Sequence, residues 1–380
     1  MENFETICVH PLREEENYNG AVTASIHPAV AYDYLDHKSL QYPGFYSTSN
    51  QQRLGEIICR LEQGKWGMVF SSGMAAISTA ILSFLSHNDH IIFSKDLYGG
   101  TLKFANEELP KRGIRCSFAD NNTDSFKLLL QQNTRIIYIE TPSNPLLSIV
   151  DLEAVAAIAK ANNIITIIDN TFASPVNQLP LMYGIDISVH SGTKYLGGHN
   201  DLPYGALVSN NNDHKDIIYN TAKMYGGSLT PYECYQAERS LKTLALRIKK
   251  QNENAAIIAN YLKEHKAIKQ VYYPGLTTHP QHAVAARQMK GFGGMVSFEL
   301  NTDLDGVTRF QRNLQLISPA LSLGGVESLI CSPVFTSHRY LTREERMGIG
   351  INDNLLRMSV GIEDADDLIK DLKTAIEKTI

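Results

Sequence analysis

The chain has 380 residues, of which 43% are hydrophobic and 20% charged, and its formal net charge is −5. This length predicts two domains, and the mildly acidic charge balance argues against nucleic acid or an anionic membrane as a partner. No apolar run approaches the roughly 18 residues that a membrane-spanning helix requires. The acidic N-terminus lacks the apolar segment of a secretory signal. We therefore expect a cytoplasmic protein.

The cysteines and histidines show no pattern typical of a metal site. The five cysteines are scattered and never spaced as Cys-x-x-Cys, which predicts free thiols rather than disulfides or a zinc site. Three histidine pairs are notable for their spacing or position: His87 and His90, His279 and His282, His190 and His199. No third ligand accompanies any of them, so we interpret these histidines as structural or surface residues.

Residues 1–55 are expected to form an irregular N-terminal arm, rich in tyrosine and with little core of its own. From residue 56 to 240, short apolar runs alternate with helical patterns, which indicates a parallel α/β sheet with right-handed crossovers. The predicted strands are residues 91–93, 136–139, 164–168, 185–189 and 205–208. The predicted helices between them are residues 73–85 and 151–162, the second with Asp151 as its N-cap.

The pattern changes in the last part of the chain. An amphipathic stretch over residues 240–265 predicts a long helix between two domains. After it, strand-like and helical segments succeed each other without the earlier alternation. The strand-like segments are residues 271–273, 295–300 and 356–360, and the helical ones are residues 303–316 and 364–380. We therefore predict an α+β domain over residues 241–380.

Polar side chains follow several of the predicted strands, at the edge where open α/β sheets bind ligands. Lys194 stands among small hydroxyl and glycine residues, and a lysine amine in such a setting can form a Schiff base with pyridoxal phosphate. Ser191 and Thr193 can donate hydrogen bonds to the phosphate. The backbone N–H groups of Gly73 and Met74, at a predicted helix start, can bind the same anion.

Three further residues fit a cofactor site. Asp169 ends another predicted strand and can pair with the protonated pyridine nitrogen. Tyr98 can stack on the ring, and Arg357 can bind a substrate carboxylate through two N–H groups. Taken singly, such residues are more often surface charges, turn residues or ion-pair partners. Their order along the chain, at strand ends and helix starts, favours the cofactor interpretation.

These motifs together resemble the cystathionine γ-synthase/γ-lyase/β-lyase family, the Cys/Met-metabolism enzymes of the fold type I pyridoxal-phosphate class. The resemblance extends over nearly the whole chain and implies a large, mostly parallel sheet domain with a smaller C-terminal α+β domain. Its motifs are Phe70-Ser-Ser-Gly-Met-Ala-Ala76, Asp96-Leu-Tyr-Gly-Gly-Thr101, Glu140-Thr-Pro-Ser-Asn-Pro-Leu-Leu147, Ile168-Asp-Asn-Thr-Phe172, Ser191-Gly-Thr-Lys-Tyr195, Ser322-Leu-Gly-Gly-Val-Glu-Ser-Leu329 and Arg357-Met-Ser-Val-Gly-Ile-Glu-Asp364.

The resemblance implies a role for each of these residues. Lys194 would hold pyridoxal phosphate covalently and carry protons, with Tyr98 as a second acid or base. The implied phosphate contacts are Gly73, Met74, Ser191 and Thr193, the ring contacts are Asp169 and Tyr98, and the substrate contacts are Asn144, Ser322 and Arg357. Tyr46 matches a tyrosine that the family inserts into a neighbouring subunit's site. This match implies catalytic dimers, which in the family pair into a homotetramer.

The chain also departs from the family pattern. Thr48 stands where the family has an arginine that reaches the cofactor phosphate of the neighbouring subunit, and Arg53 is the nearest basic substitute. Phe45 is apolar where synthases and γ-lyases tend to have an acidic residue, which resembles β-lyases and methionine γ-lyases. Gly100 differs from the cysteine usual in methionine γ-lyases. Ser332 replaces a common histidine, while His338 fits the pattern.

The resemblance favours a pyridoxal-phosphate-dependent C–S lyase that performs β- or γ-elimination on a sulfur amino acid such as cystathionine. The main alternative is a γ-replacement synthase of the cystathionine γ-synthase type, which uses an acylated homoserine and the same residues. A third interpretation, from another class, is a cofactor-binding scaffold with weak or no catalysis, supported mainly by Thr48.

Overall fold

The computed structural model describes residues 3–10, 12, 21–35, 40–339 and 341–380. Within them the chain builds two sheets. The first sheet has seven strands in the order β1-β7-β6-β5-β4-β2-β3, and β7 alone runs antiparallel to its neighbours. Its strands are β1 (Trp66–Phe70), β2 (His90–Ser94), β3 (Arg115–Ala119), β4 (Thr134–Glu140), β5 (Ile165–Asp169), β6 (Ile187–Ser191) and β7 (Gly205–Ser209). The predicted mostly parallel sheet is therefore confirmed.

The second sheet has five strands in the order β10-β11-β12-β9-β8 and is antiparallel except between β10 and β11. Its strands are β8 (Ile268–Tyr272), β9 (Met295–Leu300), β10 (Ser318–Pro319), β11 (Leu329–Cys331) and β12 (Leu355–Ser359). The helices packed on it give this part of the chain the expected α+β character. The exact domain boundaries at residues 55 and 240 remain predictions.

Helices cover the sheets. Those up to the end of the first sheet are α1 (Phe4–Val9), α2 (Ser49–Leu61), α3 (Gly73–Leu82), α4 (Gly99–Lys103), α5 (Leu109–Lys111), α6 (Thr123–Leu128), α7 (Leu152–Ala161) and α8 (Ser174–Asn177). A π-helical segment, Phe104–Glu108, joins α4 to α5, and 3-10 turns lie at Pro43–Phe45 and Pro180–Tyr183. The later helices are α9 (Asp213–Tyr225), α10 (Pro231–Leu241), α11 (Leu244–Glu264), α12 (His282–Gln288), α13 (Leu304–Asn313), α14 (Arg343–Gly348) and α15 (Ala365–Glu377).

The strands of the first sheet are apolar on both faces because helices cover both. In β4, Ile136 and Tyr138 pack with α3, whereas Ile137 and Ile139 pack with α7 on the opposite side. Successive side chains of a strand point to opposite faces, so a nearly continuous apolar run is required here. The prediction of parallel strands from these apolar runs is therefore confirmed.

Helix α11 connects the two parts of the fold. Leu244 and Ile248, near its start, belong to the core beneath the first sheet. Ala255 and Ile258, further along, belong to the core of the second sheet. The long helix predicted over residues 240–265 is observed as Leu244–Glu264 and packs in both cores, whereas residues 240 and 241 belong to α10.

The expectation that residues 1–55 are irregular is wrong for Phe4–Val9 and for the start of α2 at Ser49. Phe4–Val9 forms α1, and its Cys8 is buried in the core beneath the first sheet. Tyr46 is also buried in its own chain, where its ring packs against Phe70 with 5.5 Å between centroids. These segments are ordered by contact with the rest of the chain, a cause that local sequence patterns do not contain.

Candidate active site

A cavity of about 520 Å³ lies at the carboxyl ends of the central strands of the first sheet. Its walls come from the N-terminus of α3, the segments after β2, β4, β5 and β6, and residues of the second-sheet part. The predicted site residues that line it are Gly73, Met74, Tyr98, Asn144, Asp169, Ser191, Thr193, Lys194, Ser322 and Arg357. The fold thus brings together residues that are far apart in the sequence, from Gly73 to Arg357.

The N-terminus of α3 forms one end of this cavity. Ser72 caps the helix, and its Oγ accepts a hydrogen bond from the Ala75 N–H at 3.1 Å. Gly73 lies so close to the end of β6 that a Cβ there would be 2.8 Å from Ser191 Cβ. A helix N-terminus that meets a serine at such close range is a suitable cradle for a phosphate group.

Thr193 lines the cavity, but its hydroxyl is already used within the chain. Its Oγ1 donates to the Tyr204 carbonyl at 3.2 Å, and the Tyr204 N–H donates back to Oγ1 at 3.0 Å. This pair of bonds closes the loop between β6 and β7. A phosphate contact by the Thr193 hydroxyl, as the resemblance implies, would have to replace the bond that it donates.

Lys194 projects from the turn that follows β6. Its Nζ donates a hydrogen bond to Ser322 Oγ at 2.9 Å. Burial and the nearby charge of Arg357 lower the pKa of Lys194 to about 8, against the opposing effect of Asp169. A substantial fraction of this lysine is therefore neutral near pH 8, as a nucleophile or base must be.

The last residue of β5, Asp169, is 6% exposed. The Thr171 N–H donates to its Oδ1 at 3.0 Å. Burial raises the pKa of Asp169, whereas the hydrogen bonds of Thr171 and the charges of His190 and Lys194 act in the opposite direction. These donors and charges favour a carboxylate that can face a cationic ring nitrogen.

Arg357 lies on β12 and is 6% exposed. One terminal nitrogen donates to Asn144 Oδ1 at 2.7 Å, and the other donates to the Ser322 carbonyl at 3.2 Å. Its Nε is buried and has no hydrogen-bond partner among the residues that the structure describes. A buried N–H without a partner is unfavourable, so this guanidinium is suited to receive a carboxylate from a ligand.

The ring of Tyr98 is 47% exposed at the cavity wall. A Cβ at Gly100 would lie 2.5 Å from Tyr98 Cε1 and 3.1 Å from Met74 Sδ. The ring position therefore depends on glycine at residue 100. The cysteine usual in methionine γ-lyases would not fit here without a shift of the ring.

Phe45 and Tyr46 do not line this cavity in their own chain. The Tyr46 hydroxyl donates to the Gly226 carbonyl. The Phe45 ring is 39% exposed, and Lys223 Nζ lies 4.9 Å from its centroid. Their predicted contacts concern a neighbouring subunit, so these roles stay predictions.

Thr48 and Arg53 have structural partners within the chain. Thr48 is fully buried and caps α2, and its Oγ1 donates to Gln51 Oε1 at 2.9 Å. The Arg53 guanidinium forms two hydrogen bonds with the Glu238 carboxylate, each 2.9 Å long. Arg53 is thus already paired, which argues against the idea that it supplies the charge missing at residue 48.

Several functional candidates were missed by sequence reasoning. Glu140, the last residue of β4, lines the cavity, and its Oε2 accepts a hydrogen bond from the Tyr98 N–H at 2.7 Å. An acidic residue that ends a buried strand was the available signal. Other missed lining residues are Ser72, Ile77, Gly99, Thr171, Phe172, Leu321, Leu323, Phe335, Thr336, Ser337 and Arg339.

The histidines fit the structural interpretation. His190 forms a buried pair with Glu62 on the sheet face opposite the cavity, and His90 bonds to Thr134 and Ser117. His338 is buried, and burial with the charges of Arg357 and Arg346 lowers its pKa to about 4. In the described part of the chain, His, Cys, Asp and Glu form no group of three that could hold a metal ion. The five cysteines are free thiols.

No helix among the described residues combines the length and apolar character needed to cross a membrane.

A family model described as Cys/Met metabolism PLP-dependent enzyme matches residues 5–377. The chain is 42% identical to cystathionine beta-lyase of Lactococcus lactis subsp. cremoris (strain MG1363) over 384 residues, with all of both chains covered.

Solved structures show the same relationship. Cystathionine gamma-lyase from Lactobacillus plantarum, complexed with L-serine, superposes with a TM-score of 0.95 at 38% identity, covering 100% of this chain and 99% of that one. Cystathionine gamma synthase from Xanthomonas oryzae pv. oryzae, in complex with cystathionine, gives a TM-score of 0.96 at 37% identity and the same coverage. The chain therefore belongs to the Cys/Met metabolism family of PLP-dependent enzymes.

Proposed function

We propose that this protein cleaves a C–S bond of a sulfur amino acid of the cystathionine type by β- or γ-elimination, with pyridoxal phosphate as its cofactor. The observation that carries this proposal is that Ser322 bonds to both the Lys194 amine and the Arg357 guanidinium in one cavity. A largely buried amine with a lowered pKa stands there beside a site for a carboxylate. Relatives named as a beta-lyase and a gamma-lyase support the same reaction type.

The residues around the cavity fit the cofactor. Gly73, Met74 and Ser191 would bind its phosphate at the N-terminus of α3, with Thr193 beside them. Asp169 would pair with the ring nitrogen, and Tyr98 would stack on the ring. Pyridoxal phosphate, when bound, supplies an electron sink that stabilises negative charge at the substrate Cα.

Substrate binding falls to the second-sheet side of the cavity. The unpartnered Nε of Arg357 and its neighbouring terminal nitrogen would bind the α-carboxylate, with Asn144 fixing the guanidinium. Ser322 orients the guanidinium through its carbonyl and the Lys194 amine through its hydroxyl. Substrate Cα would then lie within reach of Lys194.

Proton transfer is then the task of Lys194 and Tyr98. Neutral Lys194 would remove the α-proton, and in γ-elimination it would also remove a proton from Cβ. Tyr98, partly exposed at the cavity wall, would give a proton to the departing sulfur. Elimination from cystathionine consumes one water and releases ammonia, a thiol and a keto acid.

The second candidate is a γ-replacement synthase that joins an acylated homoserine to cysteine. The TM-score of 0.96 with a cystathionine gamma synthase favours it, and the same lining residues serve both reactions. Phe45 favours the lyase if it reaches a neighbouring subunit's site, since an apolar residue there suits β-elimination. The interpretation as a scaffold without turnover is supported mainly by Thr48. That support is weakened because Thr48 has a structural role as the N-cap of α2.

The experiment is incubation of the cofactor-loaded protein with L-cystathionine, with chromatography of the keto acid. Pyruvate with homocysteine would establish β-elimination, and 2-oxobutyrate with cysteine would establish γ-elimination. A parallel incubation with acylated homoserine and cysteine tests the synthase by the formation of cystathionine. Lys194→Ala is the control. If the protein is an enzyme, this variant should lose each activity. If the protein is only a binding scaffold, the variant should still bind its ligand.

We also propose a homo-oligomer, a tetramer of catalytic dimers, in which residues 1–55 contribute Phe45 and Tyr46 to a neighbouring site. Supporting this, Phe45 lies outside its own cavity with its ring 39% exposed. The proposed location is cytoplasmic. Light scattering of the purified protein measures the oligomeric state, and a stable monomer with full activity would refute the arm's role.

A further inference from the structure

Two carboxyl groups end neighbouring parallel strands at the floor of the cavity. Glu140 is the last residue of β4, Asp169 is the last residue of β5, and the two are direct partners in the strand register. They are 3% and 6% exposed, and both line the same cavity. Two like charges so placed and shielded from water repel each other, so such a pair tends to hold one proton.

The surroundings of the two carboxyls differ. Asp169 accepts a hydrogen bond from the Thr171 N–H, and the charges of His190 and Lys194 favour its ionised form. The hydrogen bond and these two charges all act on the Asp169 carboxylate. Asp169 is therefore the member of the pair that is better able to carry a negative charge.

Glu140 has fewer groups that stabilise a charge. Among the described residues, its carboxyl group accepts a hydrogen bond only from the Tyr98 N–H. Burial raises the pKa of Glu140 well above its usual range, and the charges of Asp169 and Asp96 act in the same direction. Arg357 opposes them, but its terminal nitrogens donate to Asn144 and Ser322 rather than to Glu140.

A further ionisable neighbour is Tyr138, which lies two residues before Glu140 on the same face of β4. It is fully buried, and burial together with the charges of Asp169 and Glu140 raises its pKa well above the usual value. This phenol stays neutral and adds no positive charge that would hold Glu140 ionised.

We propose that Glu140 is a positioning residue that keeps a proton, so that the negative charge of the pair resides on Asp169. As a neutral acid, Glu140 still accepts the Tyr98 N–H and so fixes the segment that carries the Tyr98 ring. Asp169, freed from a charged neighbour, can then pair with the cationic ring nitrogen of the cofactor. This inference rests on the proposed cofactor site.

The direct test is replacement of Glu140 by glutamine, which resembles the neutral acid and keeps a carbonyl oxygen for the Tyr98 N–H. Glu140→Gln should retain cofactor affinity and kcat/KM within about threefold of the wild type. Asp169→Asn, by contrast, should lower kcat/KM on the order of a hundredfold or more, because it removes a preorganised charge. Similar losses in both variants would overturn the proposal, since Glu140 would then act as an anion.

A second readout does not depend on turnover. The infrared spectrum of the cofactor-loaded wild type at pH 8 should contain the C=O stretch of a protonated carboxylic acid that shifts in D₂O and is absent from Glu140→Gln. The exposed Glu153 supplies the matched control, and Glu153→Gln should leave the spectrum unchanged in this region. Identical wild-type and Glu140→Gln spectra would overturn the proposal. Because the spectra require only cofactor binding, a failure to cleave cystathionine would refute the proposed function and leave this test intact.

Discussion

Lys194 Nζ lies 2.9 Å from Ser322 Oγ, a hydrogen bond that joins the turn after β6 to the loop before β11. Ser322 takes a positive φ of 87°, which is uncommon for a residue with a side chain. The same residue accepts a hydrogen bond from Arg357 through its carbonyl. One loop residue of the second-sheet part thus orients both the amine and the guanidinium of the site.

Ser322→Ala should impair catalysis without removing the cofactor. The loss of a hydrogen bond to a charged or partly charged amine corresponds to roughly a tenfold decrease in rate. We expect kcat to fall by about that factor, with unchanged visible absorption of the bound cofactor. Steady-state kinetics and the absorption spectrum check this prediction, and wild-type kcat in the variant would contradict the orienting role.

The rate at which apoprotein takes up pyridoxal phosphate should rise with pH. Attachment requires neutral Lys194, whose pKa is lowered to about 8, so the rate should be half-maximal near pH 8. Stopped-flow absorbance across about pH 6.5 to 9.5 measures the midpoint, a window set by that pKa. Arg357→Gln removes a positive charge that lowers this pKa and should move the midpoint upward. A midpoint near that of an ordinary lysine would show that the amine is not perturbed.

Arg357→Gln should weaken substrate binding more than cofactor binding. The guanidinium offers a buried, unpartnered Nε to the substrate carboxylate. We expect KM to rise about a hundredfold, as for the loss of a charge-assisted bidentate contact. Asn144→Ala, which removes only the partner of one terminal nitrogen, should raise KM less. Equal KM values in wild type and Arg357→Gln would place the substrate carboxylate elsewhere.

Thr48→Ala should destabilise the fold and leave cofactor affinity unchanged. Thr48 is a buried cap of α2 whose N–H and hydroxyl both donate to Gln51 Oε1, and loss of such a cap costs about 1 kcal/mol. Urea denaturation of wild type and variant measures this difference. Thr374→Ala, within α15, is the control and should stay within about 0.5 kcal/mol. A drop in cofactor affinity for Thr48→Ala would instead indicate a contact with a bound phosphate.

Glu62→Ala should strongly destabilise the protein. The fully buried Glu62 accepts hydrogen bonds from His190, Asn170 and Ser188, and their polar groups would lose this partner. Removal of one member of a buried charged network costs about 3–5 kcal/mol. Glu56→Ala, on the exposed side of α2, should cost less than about 0.5 kcal/mol. Similar stabilities of the two variants in chemical denaturation would contradict this account.

The sequence contains strong local signals for the central strands and for one helix start. Ile167 and Ile168 face different apolar layers, so β5 required the continuous apolar run from which it was predicted. Asp151 caps α7 as predicted, with its Oδ1 accepting the Ala154 N–H at 3.2 Å. Polar motifs after such strands then converge at one edge of the sheet, which is why most candidate site residues could be found together.

Two strands of the first sheet were not predicted, for physical reasons. β3 is an edge strand in which only Ala119 is fully buried, so it carries no continuous apolar run. β1 contains Gly67, because a Cβ there would lie 2.6 Å from the Gly55 carbonyl oxygen of α2. Glycine weakens a strand pattern, and the packing that requires it is visible only in three dimensions.

The missed site residues depend on tertiary contacts. Glu140 belongs to a motif that was recognised, but its importance comes from its register partner Asp169 on the next strand. Glu62 follows α2 and meets His190 across a long sequence separation. No local pattern pairs such residues. The buried positions of Thr48 and Tyr46 likewise follow from packing against the rest of the chain.

The most direct test of the central claim is the release of ammonia and keto acid from L-cystathionine, followed together with the visible absorption of the cofactor. The account predicts that the absorption changes on addition of substrate and that both products accumulate in equal amounts, and that Lys194→Ala yields neither product. A wild-type protein that binds pyridoxal phosphate but releases no keto acid from cystathionine would contradict C–S bond cleavage as its function.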